Sequence, residues 1–327
     1  MKLKIASEEM RDHLEDLQDT KIIGLIGVAG TGKSTFYHSV VNSFYPAMSD
    51  GEIPCIYVPA PAYGDKKTSI NGVIRDVLRE VGDICIDGKR VIQESDGYMS
   101  IMRHRLDGQR DAFRRMAIQR NVRVLAIDEF IHMIRHTDPK PLMDSIKGVA
   151  DQLNGCVMLI GGISLFSYLT VDDQISRRSE HIYLGRYTRE EESLAKAKIE
   201  SARSENGKKT EFAPFEEIVR KFMSRWPLEE VPQFHQIMSE IFSCTLGIVG
   251  LLKMLLFRCL QQQLKNGGVW DPAFFEKSSK SKAYIDSIEE EVVAGEQRML
   301  EEGFGIKVFD QKARENIKMK LKGAHAV

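Results

Sequence analysis

Residues 27–34 read Gly-Val-Ala-Gly-Thr-Gly-Lys-Ser, and no other stretch of the chain constrains its fold as much. The run fits the phosphate-loop pattern G-x-x-x-x-G-K-[ST]. The apolar segment 22–26 before it reads as a buried strand, and residues 35–44 after it read as a helix. Strand, glycine loop and helix together are the context that the pattern needs. The glycines let the backbone curl until successive N–H groups point inward at phosphate oxygens. The helix that follows adds its positive N-terminal end. Gly27, Val28, Ala29, Gly30, Thr31, Gly32, Lys33, Ser34 and Thr35 are therefore the expected nucleotide contacts. Lys33 would reach the β- and γ-phosphates of a nucleoside triphosphate, and Ser34 would offer its hydroxyl to Mg²⁺. A dinucleotide loop has other glycine spacing and no use for Lys-Ser.

The segments that follow alternate. Strands are expected at 53–58, 122–127, 156–160 and 181–184, with helices at 67–81, 100–120 and 141–153. That alternation implies a parallel α/β sheet with flanking helices. Pro54 and Pro59 suit an edge position or the ends of the 53–58 strand. Residues 8–18 read as a short charged helix, and the polar stretch running through Ser95-Asp96-Gly97 reads as less regular. Beyond residue 189 only helices are expected: 195–204, 215–226 and two within 231–263, with Gly247 and Gly250 between those two. From residue 276 the chain is highly charged and reads as a tail with a helical acidic segment at 285–302. The division that results is an N-terminal extension 1–20, a nucleotide-binding core 21–188, a smaller helical lid 189–268 and a charged C-terminal tail 269–327.

No apolar run approaches membrane-span length, and the N-terminus turns acidic too soon for a signal peptide. A cytoplasmic protein without membrane contact is expected. Cys55, Cys85, Cys156, Cys244 and Cys259 are scattered and form no Cys-x-x-Cys pair, which indicates neither a disulfide framework nor a zinc site. The net charge of −1 neither demands nor excludes nucleic acid.

Three further clusters carry chemistry. The run at 124–129, Val-Leu-Ala-Ile-Asp-Glu, delivers an acidic pair at the carboxyl end of a strand, where α/β proteins bind ligands. Asp128 would hold Mg²⁺, directly or through water, and Glu129 would orient or deprotonate the water that attacks the γ-phosphate. A kinase has no need of a residue that activates water, so Asp-Glu favours a hydrolytic NTPase over a small-molecule kinase. Arg177 and Arg178 follow Asp172-Asp173-Gln174-Ile175-Ser176. Either arginine could complete a neighbouring subunit's site by neutralising charge on the γ-phosphate, or the pair could be salt-bridged surface residues. Finally, Arg103, Arg110 and Arg114 fall at helical spacing in an Arg-rich stretch. Such a row tracks DNA phosphates or forms a solvated helix face, and Lys66 and Lys67 hint at the same basic surface. Ser164 stands just past the 156–160 strand, where it is a turn serine or a γ-phosphate sensor.

Taken together, these segments resemble the AAA+ group of ASCE P-loop ATPases and, more narrowly, the TniB/TnsC transposition regulators. The motifs that carry the resemblance are residues 27–34, Ile127-Asp128-Glu129, the strand end at 159–162, the run 173–178 and the lid-helix start at 245–253. The resemblance implies assembly into a ring or helical filament on duplex DNA with ATP. It also implies contacts to a target-selection protein and to the transposase, and disassembly on hydrolysis. Two positions depart from the pattern. Gly162 stands where the family often has Thr, and Lys253 is the nearest basic residue where many AAA+ lids carry an arginine. A switch-type P-loop ATPase with no DNA role would use the same core and lid.

Overall fold

The computed structural model describes residues 2–15, 22–47, 49–61, 70–83, 91–95, 98–102, 105–134, 139–153, 155–170, 173–191, 193–197 and 212–301. Five parallel strands form its centre: β1 (Ile22–Ile26), β2 (Cys55–Pro59), β5 (Val124–Asp128), β6 (Cys156–Gly161) and β7 (Ser179–Tyr183). Their order is β2-β5-β6-β1-β7. Every residue of β1 and β6 is buried, as befits central strands covered on both faces. β2 is an edge strand, which accommodates Pro59 at its end and Pro54 just before it.

Side-chain alternation divides the strand residues between two helical layers. Ile23, Leu25, Met158 and Ile160 pack with Met10 and Leu14 of α1 (Lys2–Glu15) and with Phe36, Tyr37 and Val41 of α2 (Lys33–Phe44). On the other face, Ile22, Ile26, Leu125 and Leu159 meet α3 (Ile70–Glu80), α4 (Arg105–Gln119) and α6 (Pro139–Ala150). The apolar spacing that predicts α3 is also its buried face: Ile70, Val73, Ile74, Val77 and Leu78. The short helices α5 (Ile131–Ile134), α7 (Leu165–Thr170) and α8 (Asp173–Ser176) connect the later strands. This is the P-loop sheet with flanking helices that the sequence predicts.

One segment differs. The stretch read as less regular holds an antiparallel pair, β3 (Val91–Ser95) and β4 (Tyr98–Met102), with Val91 opposite Met102 and Ser95 opposite Tyr98. The sequence signal is Asp96-Gly97 between apolar and β-branched runs, a two-residue hairpin signature. The hairpin takes up the residues that would have begun the Arg-rich helix, so α4 starts at Arg105.

The lid has its own core. Helix α9 (Pro214–Met223), a 3₁₀ turn (Phe234–Ile237), α10 (Met238–Thr245) and α11 (Val249–Lys265) bury Phe215, Val219, Ile241, Leu252 and Leu256 together. Gln263 is fully buried and satisfied: it accepts from Trp226 Nε1 at 2.9 Å and donates to the carbonyls of Glu230 and Gly268 at 2.8 Å. Of the expected helix at 195–204, residues 198–204 lie outside the described residues.

The charged C-terminal region is folded as far as Glu301. After α12 (Ala273–Ser278), helix α13 (Lys282–Glu301) lies against the core rather than trailing from it. Its Ile285 and Val292 are buried with Val28, Leu246 and Ile248, while Met299 enters the main core cluster. Among the described residues no single helix is long and apolar enough to cross a membrane.

Candidate nucleotide site

In a parallel sheet the carboxyl ends of all strands meet at one edge, and here that edge gathers the P-loop, Asp128 and the turn after β6. Gly30 and Gly32 have φ of 83° and 93°, the left-handed region that glycine enters without strain. Their turn aims the start of α2 into a cavity of about 850 Å³. Lys33 Nζ donates to the carbonyls of Gly27 at 2.9 Å and Val28 at 3.0 Å, which holds the ammonium inside the loop. Burial lowers the Lys33 pKa, and the negative charges of Asp128 and Glu129 work against that shift.

Asp128 is the hub of the site. Ser34 Oγ donates to its Oδ2 at 2.8 Å, the Tyr57 hydroxyl donates to the same oxygen, and the Glu129 backbone N–H donates to Oδ1 at 2.7 Å. Burial and the bond to Asp128 push the Tyr57 pKa up to about 12, so its hydroxyl remains a donor. The two expected Mg²⁺ ligands are thus already in contact across the P-loop and β5. One hydroxyl and one carboxylate form a hard oxygen donor set that suits Mg²⁺, which keeps waters and shares phosphate oxygens. Among the described residues no group of three or more His, Cys, Asp or Glu could hold a metal.

Glu129 follows at φ 52°, an uncommon conformation for a residue with a side chain. That twist leaves its carboxylate exposed at the cavity, 3.4 Å from His132 Nε2. His132 also lines the cavity, although its spacing in the sequence marks it as no ligand. Gly162 and Ser164 line the wall after β6.

The lid reaches the P-loop through backbone as well as through the packing of Leu246 and Ile248 on Val28. Gly250 N–H donates to the Gly30 carbonyl at 2.8 Å, and a Cβ at Gly250 would stand 2.8 Å from Gly30 Cα. Ile248 and Leu251 line the cavity there, whereas Lys253 is exposed and outside its lining. A further wall comes from α13, with Tyr284, Ile288, Glu291, Val292, Gly295, Arg298 and Met299. Neither this wall nor Tyr57 was legible as part of the site. Only the amphipathic spacing of α13 and the position of Tyr57 two residues before the end of β2 signal them.

Other expected residues lie elsewhere. Arg177 and Arg178 occupy the turn before β7, at the sheet edge opposite the P-loop. Both are exposed, and Arg178 pairs with Asp151 at 3.2 Å. From that edge neither arginine lines its own chain's cavity. Arg110 and Arg114 are exposed on α4, one turn apart, whereas Phe113, Met116 and Ala117 are its buried face. Arg103, Lys66 and Lys67 lie outside the described residues.

The family model described as bacterial TniB protein matches residues 97–189, from the hairpin turn through β7 to the start of the lid. The resemblance drawn from the motifs is borne out over that segment. No curated protein matches the chain. Among solved structures, a Walker-type ATPase of Pyrococcus abyssi is 13% identical with a TM-score of 0.45, covering 91% of this chain and 75% of its own. A RuvB variant of Thermotoga maritima is 15% identical with a TM-score of 0.43, covering 85% of this chain and 66% of its own.

Proposed function

We propose that this chain, a P-loop protein with a TniB segment, is an ATPase that regulates DNA transposition. It assembles on duplex DNA with ATP, links a target-selection protein to the transposase, and disassembles when ATP is hydrolysed. The observation that carries the reading is the contact of Ser34 and Asp128 beside a twisted, exposed Glu129. This is the arrangement that hydrolysis requires. The P-loop amides and Lys33 hold the β- and γ-phosphates. Bound Mg²⁺ would neutralise charge on the phosphate oxygens, with Ser34 and Asp128 as its protein ligands. Glu129 takes the proton of the attacking water and exchanges its contact with His132 for one with that water.

The second half of the site belongs to a neighbouring subunit. An arginine at the far sheet edge lies outside the described nucleotide cavity of its own chain, but a head-to-tail contact brings that edge to the next subunit's γ-phosphate. Arg177 is the better candidate, because Arg178 is paired with Asp151. Loss of the γ-phosphate then removes the arginine's partner and weakens the subunit contact. Arg110 and Arg114 on α4 supply the DNA contact through phosphates, without reading sequence.

Electron microscopy and DNA co-sedimentation of the full chain with ATP, ADP and a non-hydrolysable ATP analogue test the reading. Assembly on duplex DNA with ATP and with the analogue, but not with ADP, is expected. Doubly substituting Arg110→Ala and Arg114→Ala should weaken binding and flatten its dependence on salt. ATP turnover without DNA assembly in any condition would leave a switch-type ATPase and sink the transposition reading.

A further inference from the structure

Helix α13 forms a whole wall of the nucleotide cavity, although it follows the lid in sequence. About four of its turns line the cavity along one stripe, from Tyr284 through Ile288 and Val292 to Arg298. The helix is fixed in place at several points. Glu296 receives Arg186 at 3.2 Å and the Tyr183 hydroxyl at 3.0 Å, from the last residue of β7 and the loop that follows it. The same Arg186 donates to the Leu246 carbonyl of the lid at 3.4 Å, so one guanidinium joins core, lid and α13. Burial and the neighbouring Glu296 charge raise the Tyr183 pKa, which keeps its hydroxyl a donor. Gly295 lets the helix approach closely, since a Cβ there would stand 3.1 Å from Ile163.

These contacts orient the helix along the cavity. Its N-terminal half, at Ile285 and Ile288, packs with Val28, Ile248 and Leu251, which makes that end apolar. Its C-terminal half lies beside the turn after β6, where Gly295 meets Ile163 and Met299 joins the core. That turn is next to the acidic pair, because Phe130 N–H donates to the Ile160 carbonyl at 3.1 Å. An apolar end suits a purine base, and the far end of the stripe carries a cation.

We infer that Arg298 is a terminal-phosphate ligand supplied in cis by α13, so that this chain distinguishes ATP from ADP through a helix outside its lid. The inference rests on the nucleotide-site reading above. Among the described residues the lid places no basic side chain in the cavity lining, where Lys253 is absent and Arg298 of α13 is present. A guanidinium is suited to this task because its planar fork binds phosphate oxygens in pairs and stays charged. Glu291 lies on the same stripe about two turns before Arg298, roughly 10 Å along the axis, and so disfavours phosphate at mid-helix rather than at the Arg298 end.

The test is competition binding of ATP and ADP, each with Mg²⁺, to the full chain and its variants. Arg298→Ala should weaken ATP about tenfold and leave ADP within about twofold, and Arg298→Lys should recover part of the difference. Glu296→Gln, which loosens the anchor without touching Arg298, should also narrow the preference for ATP. Equal weakening of both nucleotides by Arg298→Ala, or no change in either, would overturn the inference while leaving the P-loop reading intact. A wild-type chain that binds neither nucleotide would overturn that reading and the inference with it.

Discussion

The cavity has two walls of different origin. One is the P-loop, a contiguous run in which local sequence, backbone conformation and chemistry coincide. Gly30 and Gly32 take positive φ, and Lys33 returns to its own loop's carbonyls. The other is α13, whose place depends on partners far away in sequence: Tyr183, Arg186, Ile163 and Val28. On the proposed function, the first wall would hold phosphate wherever its strand and helix form. The second exists only when β7, the lid and the core are assembled. Chemistry common to all nucleotides therefore belongs to the local wall, and what discriminates or regulates can be added by the remote one.

The largest expected effect falls where the local wall meets β5. Glu129→Gln should lower ATP turnover by about 100-fold to 10,000-fold while ATP still binds, because the amide cannot accept the water's proton. Steady-state phosphate release, with binding measured in parallel, checks this. Undiminished turnover would mean that the twisted Glu129 is held for packing, and that the division between the walls is drawn in the wrong place.

Next comes Lys33→Ala, which removes the buried ammonium from the loop. Binding of ATP should weaken by roughly 100-fold, the equivalent of about 3 kcal/mol, as for loss of one partner from a desolvated charge pair. The fold should be unaffected, since the hydrogen bonds of the Lys33 side chain go to the Gly27 and Val28 carbonyls at the cavity, which water can serve. Titration calorimetry and circular dichroism separate the two outcomes.

This ranking follows what was legible in the residues. The P-loop, Asp128 and Glu129 announce themselves through spacing, because each role needs one residue type at one point of one strand or loop. The sheet was legible for a related reason: β1 and β6 are uniformly apolar because both of their faces are covered. Helix α13 was legible as a helix but not as a wall. Its stripe of Ile285, Val292 and Met299 says that something covers it, and nothing in the stripe says what. Tyr57 escaped for the same reason, since its bond to Asp128 depends on the register that sets Pro59 opposite Asp128 across two strands. The hairpin of β3 and β4 was different, for its Asp-Gly signal was present in the sequence.

Met299→Ala sharpens the contrast from the remote side. It deletes buried volume that ties α13 to the core and should cost about 2 kcal/mol, the lower part of the range for buried large-to-small changes. Denaturant midpoints report the loss, and hydrogen exchange should show it concentrated in residues 282–301. If exchange quickens equally in the P-loop helix, the two walls open as one unit and the comparison fails.

The smallest effect concerns β7, the strand on which both walls lean. It pairs with β1, which leads into the P-loop, and its Tyr183 holds Glu296 of α13. Between these lies His181, with its ring edge-on to Phe166 at 5.3 Å and its Nδ1 buried without a hydrogen-bond partner. Burial lowers its pKa, so the folded chain prefers the neutral ring. Above the unfolded value, about 6.5, the group is neutral in both states and stability is fully retained. As pH falls from there toward the lower folded value, the unfolded chain takes up the proton first and stability declines. His181→Gln should remove that slope, and thermal melts between about pH 7 and pH 5 measure it. Nucleotide binding and the exchange protection of α13 should decline together in the wild-type chain over this window, because the strand they share is what weakens. A decline in only one of them would show that β7 supports that wall alone.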